Sequence, residues 1–186
     1  MPKSPEQKAR SRQAIMESAA RLFRERGFDG VTVAEVMDGA GLTHGGFPRH
    51  FASKDELITA TLAEVFDANE RSPVLPAPDL ATFARAYLQT DHRMAPGTGC
   101  VFAALGPEMA RAGEPTREFL SAQMERQIDK FADLVPEGDA HQRRVQAIGA
   151  WATMVGAMML ARIANSDALS EEILGAARGY LGVESE

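Results

Sequence analysis

The stretch Thr32–Leu57, TVAEVMDGAGLTHGGFPRHFASKDEL, constrains the fold of this chain more than any other. Thr32 and Glu35 stand at the spacing of a capping box, in which a hydroxyl accepts from an amide three residues on and a carboxylate reaches back. Val33, Val36, Met37 and Ala40 then fall on one side at helical spacing, so a first short helix buries that stripe. Gly39-Ala40-Gly41 ends it, because a tight exit takes a glycine in the left-handed region. Thr43 can cap a second short helix carrying His44, Gly45, Gly46, Phe47, Pro48, Arg49 and His50, which Phe51 closes. Ser53 and Glu56 repeat the capping-box spacing ahead of a third helix. Two short helices across a glycine-containing turn, followed by a capped helix, describe a helix-turn-helix. That motif lays its second helix in the DNA major groove.

Charge matters to this reading. The net charge of −6 suits a DNA binder poorly until it is divided along the chain. Residues 1–54 hold nine Lys/Arg against six Asp/Glu, a balance of +3, and residues 55–186 hold eleven against twenty, a balance of −9. A small basic head on an acidic body is the arrangement implied. No apolar run approaches the roughly 20 residues of a membrane span. The polar, basic N-terminus has no apolar h-region, so a cytoplasmic protein with no membrane partner is expected. The single cysteine, Cys100, excludes an intrachain disulfide and any cysteine-built zinc site. Four scattered histidines form no metal or catalytic constellation. Neither a cofactor, nor a metal, nor an enzymatic activity is expected.

Taken in order, residues 6–26 read as an amphipathic helix with Ile15, Ala19, Leu22 and Phe23 on its buried side. Pro2, Lys3, Pro5, Lys8, Arg10 and Arg12 mark a mobile basic arm before and into it, able to reach phosphates. A helix from Ser53 carries Leu57, Ile58, Leu62, Val65 and Phe66 to about Glu70, and a proline-rich break spans 72–78. Further helices are expected from Asp79, from Cys100, from Glu114-Pro115, from Asp139 with Gln142 as its capping partner, and over 168–181. The fold class is all-α with about nine helices. A three-helix head covers 1–54 and a helical body covers 55–186.

These motifs resemble the TetR/AcrR family of bacterial transcriptional regulators. The likeness runs from Ile15 to Ile58 and is carried by Leu22-Phe23, Gly27-Phe28, His50-Phe51 and Ser53-Lys54-Asp55-Glu56-Leu57. Beyond Ile58 it extends only to helical pattern and a Gly99-Cys100 helix start. The resemblance implies a body that binds a small-molecule effector and dimerises, and a function as a repressor released from a palindromic operator. An all-helical small-molecule-binding protein or enzyme with a weakened head is the alternative. One departure stands out: Pro48 occupies the place where the family usually has tyrosine.

For double-stranded DNA the residues expected are Thr32, Thr43, His44, Gly45, Gly46, Arg49, His50 and Lys54. Hydroxyls and helix-start amides suit phosphates, glycines admit close backbone approach, and His44 and Arg49 can reach base edges. Phe47 and Phe51 read as packing between the short helices, and His50 serves equally as a structural histidine. An effector would meet Phe66, Tyr87, Phe102, Met109, Gln127, Trp151, Met154 and Met158, since aromatics and methionines line adaptable apolar sites. Small residues at helical spacing, Gly149, Ala152, Gly156, Ala157, Gly175 and Gly179, would let two copies approach closely as a homodimer. A dimer sets two reading heads about one DNA turn, roughly 34 Å, apart. Cys100, at a helix start, is a candidate sensor of oxidants or electrophiles and equally a buried inert thiol.

Overall fold

A computed structural model of the chain describes residues 4–71 and 77–183. The described residues form nine α-helices and two short 3-10 helices, with no strand. They divide into two compact units, the head and the body. The head holds α1 (Pro5–Arg26), α2 (Val33–Gly39), a 3-10 helix (His44–Arg49) and α3 (Lys54–Arg71). The body holds α4 (Leu80–Tyr87), α5 (Thr90–Met94), a 3-10 turn (Pro96–Thr98), α6 (Val101–Ala110), α7 (Glu114–Asp133), α8 (Ala140–Ile163) and α9 (Asp167–Tyr180). The expected boundary at 54/55 therefore moves beyond α3. That helix packs along α1 and buries Leu57, Thr61, Leu62 and Phe66.

The head core combines Ile15, Ala19, Leu22 and Phe23 of α1 with Val36 and Met37 of α2, and with Phe47, Phe51, Leu57 and Leu62, all under a tenth exposed. Phe23 meets Phe28 edge-on at 5.4 Å between ring centroids. Ser4 caps α1 by accepting from the Gln7 amide at 3.2 Å, with Pro5 in the first turn. Of the expected mobile arm, Pro2 and Lys3 lie outside the described residues, whereas Lys8, Arg10 and Arg12 are on α1 itself. In the proline-rich break, residues 72–76 lie outside the described residues.

In the body, α8 is the central helix and packs against α4, α5, α6, α7 and α9. Its buried side reads Ala147, Ala150, Trp151, Met154, Ala157, Met158 and Ala161, steps of three and four that keep one face inward. Small residues alternate with large ones there, so neighbouring helices come close around Trp151. Caps legible in the sequence form as expected. Asp79 accepts from Thr82 N–H at 2.6 Å, and Asp139 and Gln142 exchange bonds at 2.9 Å. The short α5 has no counterpart in the sequence reading, because five residues are too few to show a period.

Candidate nucleic-acid interface

The turn that presents the reading segment is built by backbone chemistry. Gly41 adopts φ +67°, the left-handed geometry that reverses the chain after α2. Gly39 serves another purpose, since a Cβ there would lie 2.4 Å from Ser18 Oγ of α1. The α2 start is a full capping box. Glu35 N–H donates to Thr32 Oγ1 at 3.2 Å, while Thr32 N–H and hydroxyl both donate to Glu35 Oε2 at 2.8 Å. Those two bonds, with the Arg26 guanidinium at 2.8 Å, hold the Glu35 carboxyl down at about 2. Thr32 thus directs its amide and hydroxyl proton to Glu35.

The reading segment His44–Arg49 is a single 3-10 helix rather than an α-helix. Two consecutive glycines weaken the α-helix, and Pro48 supplies no amide for its ladder. Thr43 stands at the cap position without a side-chain cap bond, contrary to expectation, and Gly46 N–H donates instead to the Thr43 carbonyl at 2.9 Å. Thr43, His44, Gly45, Pro48 and Arg49 are exposed together. At Gly45 a Cβ would meet no atom within 4 Å, so the protein's own packing does not demand glycine there. Phe47 and Phe51 face inward and stack at 5.8 Å, the packing role expected of them.

His50 is half-buried at the end of this segment, and Lys54, at the first turn of α3, is also partly covered. Ser53 Oγ accepts from Glu56 N–H at 3.1 Å, and Glu56 Oε2 accepts from Ala52 N–H at 2.6 Å. Arg12 from α1 completes the junction. It donates to the His50 carbonyl, stacks its guanidinium 3.9 Å from the Phe51 ring centroid and lies 3.9 Å from Glu56. Sequence reasoning placed Arg12 on an arm. Its spacing from the reading segment, 38 residues, hides this clamp, although its place one helical turn before Ile15 was a usable signal.

In the body, Tyr87, Trp151, Met154 and Met158 belong to one buried cluster, against which Phe102 packs. Phe102 and Phe131 meet the Trp151 ring edge-on at 5.0 and 6.2 Å, and Phe83 meets Phe131 at 4.9 Å. Met109 is buried on α6 and Gln127 partly exposed on α7. Phe66 is buried on α3, which belongs to the head unit. Of the small residues, Gly149, Ala152 and Gly179 are exposed and Gly156 and Gly175 partly so. Ala157 is corrected: it points into the body core between Met154 and Met158. Sequence reasoning missed the large apolar residues beside those small ones, Val145, Ile148, Leu160 and Ile163, which are 41–75% exposed on the outer face of α8. Their spacing, two pairs three residues apart and twelve residues between the pairs, puts them on one helical face and was the available signal.

A polar group adjoins the aromatic cluster. His92 Nδ1 contacts the Tyr87 carbonyl at 2.8 Å, and His92 Nε2 accepts from Cys100 N–H at 3.1 Å, which puts the ring proton on Nδ1. Arg162 donates to the carbonyls of His92 and Arg93 at 2.8 and 3.3 Å. A Cβ on Gly99 would fall 2.8 Å from His92 Nε2 and 3.0 Å from Arg162 Nη2, so glycine is what allows this close approach. Burial lowers the affinity of His92 and Arg162 for their protons and raises that of the Tyr87 phenol.

Residues 15–61 match the profile of the family described as bacterial regulatory proteins, tetR family. The HTH-type transcriptional repressor KstR2 of Mycolicibacterium smegmatis is 33% identical over 66 residues, 36% of this chain and 32% of that protein. The chain thus spans about a third of the length of such curated relatives. A TetR-family regulator of Streptomyces coelicolor, SCO4454, superposes with a TM-score of 0.67 at 24% identity, covering 96% of this chain and 97% of the other. AibR, solved in complex with isovaleryl coenzyme A and operator DNA, superposes at 0.61 with 21% identity, over 94% of this chain and all of that one. The chain thus carries the tetR-family sequence pattern over residues 15–61 and shares the all-α fold of solved TetR-family regulators over nearly its full length.

Proposed function

We propose that this protein is a homodimeric, sequence-specific DNA-binding repressor released from a palindromic operator by a small apolar effector. The observation that carries the reading is the exposed row Thr43, His44, Gly45 and Arg49, held on a rigid base by Phe47, Phe51 and the Arg12 clamp. His44 and Arg49 are its base-reaching side chains, and the open backbone at Gly45 admits close approach. Lys54 and the Thr43 hydroxyl suit phosphate contacts, which position without specifying. Its relatives include proteins named as transcriptional repressors, and AibR was solved with both a ligand and operator DNA.

In the body, the cluster around Trp151 and Tyr87 is the proposed effector region, acting as a binding module rather than a catalyst. No described helix is long and apolar enough to cross a membrane, in keeping with a cytoplasmic regulator. An effector shifts DNA affinity only by its differential binding to two states of the body.

The test is binding to the DNA upstream of the protein's own gene, at two salt concentrations, against scrambled competitor. Saturable binding to one palindrome that survives the competitor is expected. Arg49→Ala should cost about 1–3 kcal/mol of base discrimination, whereas Lys54→Ala should weaken all DNA alike and flatten the salt dependence. Equal, weak binding to both DNAs would overturn the reading in favour of a small-molecule-binding protein with a weakened head.

A further inference from the structure

A helix that buries no residue must be held by something other than apolar packing. The five residues of α5 place nothing in the body core, and Met94 stands 67% exposed. Polar bonds hold the element instead, and they join residues 88–93 to α8 and α9. Arg162 Nη2 and Nε donate to the His92 and Arg93 carbonyls at 2.8 and 3.3 Å, which satisfies two acceptors of the kind a helix end leaves open. Arg178 Nη1 donates to the Leu88 carbonyl at 2.5 Å. Arg93 donates to Asp167 Oδ1 at 2.7 Å and to Ser170 Oγ at 3.2 Å, and Thr90 Oγ1 donates to Glu171 Oε1 at 2.5 Å. The backbone leaves helical geometry on both sides of α5, at Leu88 (ψ 45°) and at Ala95 (ψ 61°).

On its inner side α5 contributes one ring. His92 meets the Tyr87 ring edge-on at 4.4 Å, and its Nε2 accepts from Cys100 N–H at 3.1 Å. Tyr87, 3% exposed, stacks on Phe83 at 6.0 Å, Phe83 meets Phe131 at 4.9 Å, and Phe131 meets Trp151 at 6.2 Å. His92 therefore sits at the Tyr87 end of a row of rings that leads to Trp151. An element with few buried apolar contacts opens at low local free energy. The Asp167 side chain is 87% exposed, and an ion pair so placed contributes little. We propose that residues 89–99 form a lid over the Tyr87 end of the aromatic cluster, latched by polar bonds to α8 and α9, which opens while the body core stays packed. Opening exchanges the latch bonds for bonds to water and withdraws His92 from Tyr87, so the row of rings is uncovered without unfolding α8. As the gate of the proposed effector region the lid rests on the repressor reading; its opening does not.

The experiment is hydrogen exchange by mass spectrometry on the full-length protein, with acrylamide quenching of Trp151, the chain's sole tryptophan. The native chain is compared with a variant carrying Asp167→Ala and Glu171→Ala. Alanine removes two latch acceptors and, as the best helix former, leaves α9 its helix. Amides of 90–100 should exchange at least about fivefold faster in the variant, the ratio that one hydrogen bond of about 1 kcal/mol gives. The Cys100 amide, whose acceptor lies on α5, should speed up with them. Amides of 147–161 on α8 should keep their native rates, while quenching of Trp151 should rise. Exchange over 90–100 that stays at native rates would overturn the latch. Exchange that rises equally over 147–161 would mean that α5 opens only with the core, and the lid is then wrong. Faster exchange over 90–100 with unchanged quenching would remove its covering role. The measurement uses neither DNA nor effector, so its outcome is independent of the repressor reading.

Discussion

His92 shows how one residue's hydrogen bonds turn into a pH response. Its ring is locked neutral, with Nδ1 toward the Tyr87 carbonyl and Nε2 accepting from Cys100 N–H. Burial, the larger influence, and the nearby Arg162 charge lower its proton affinity in the folded state. The unfolded chain therefore binds a proton more readily than the folded one, and stability must fall as pH drops through the unfolded value, about 6.5. Above that value the contribution is fully present. Chemical denaturation at pH 7.5 and 5.5 should show a larger loss for the native chain than for His92→Gln. Parallel losses in both would remove His92 as the linked group. None of this was legible in the sequence, where His92 is one histidine among four. Its partners, Tyr87, Cys100 and Arg162, come together only through the packing of α4, α5, α6 and α8. Thr32 with Glu35 and Asp139 with Gln142 were legible, because a capping box is written in four consecutive residues.

At the scale of an element, the reading segment departs most from what its period suggests. Its apolar residues, Phe47 and Phe51, are four apart as in an α-helix, yet the backbone is 3-10. Gly45, Gly46 and Pro48 account for that, and each was visible in the sequence as a weak helix former. What was not legible is that the segment keeps its place without an α-helical ladder. Stacking of the two phenylalanines and the Arg12 clamp supply the support instead. Pro48 is exposed, so a substitution there is felt by a partner more than by the head core. Pro48→Tyr restores an amide and offers a hydroxyl to phosphate. A hydrogen bond to a charged group contributes about 1.5 kcal/mol, so operator affinity should rise roughly tenfold. Pro48→Phe, which restores the amide without the hydroxyl, should gain clearly less. Unchanged or weaker binding by Pro48→Tyr would show that the segment reads DNA without a group at this position.

For the molecule as a whole, α8 poses the question of what covers its second face. At 24 residues it is about 36 Å long, and from Ala147 to Ala161 it is apolar nearly all round. One side is buried under α4, α6, α7 and α9, while Val145, Ile148, Leu160 and Ile163 stand exposed on the other among Gly149, Ala152 and Gly156. On α9, Leu169 and Tyr180, 45% and 82% exposed, fall at helical spacing with Ala176. A helix apolar on both sides normally has both covered, and large exposed apolar patches mark contact surfaces. A second copy fits best: a two-fold contact sets the same stripe against itself, and the glycines, with no atom near their Cβ positions, admit close helix approach. Ala152 and Ala157 then make a paired test, five residues apart on opposite faces. Ala152→Glu should leave the helical fold intact yet shift sedimentation from dimer to monomer. Operator affinity should fall with it, by about a hundredfold or more, since two linked half-site contacts become one. Ala157→Glu, whose side chain would enter the Met154–Met158 core, should instead unfold the body. If Ala152→Glu sediments as the native chain does, the outer face of α8 is not the dimer surface, and the palindromic operator loses its structural basis.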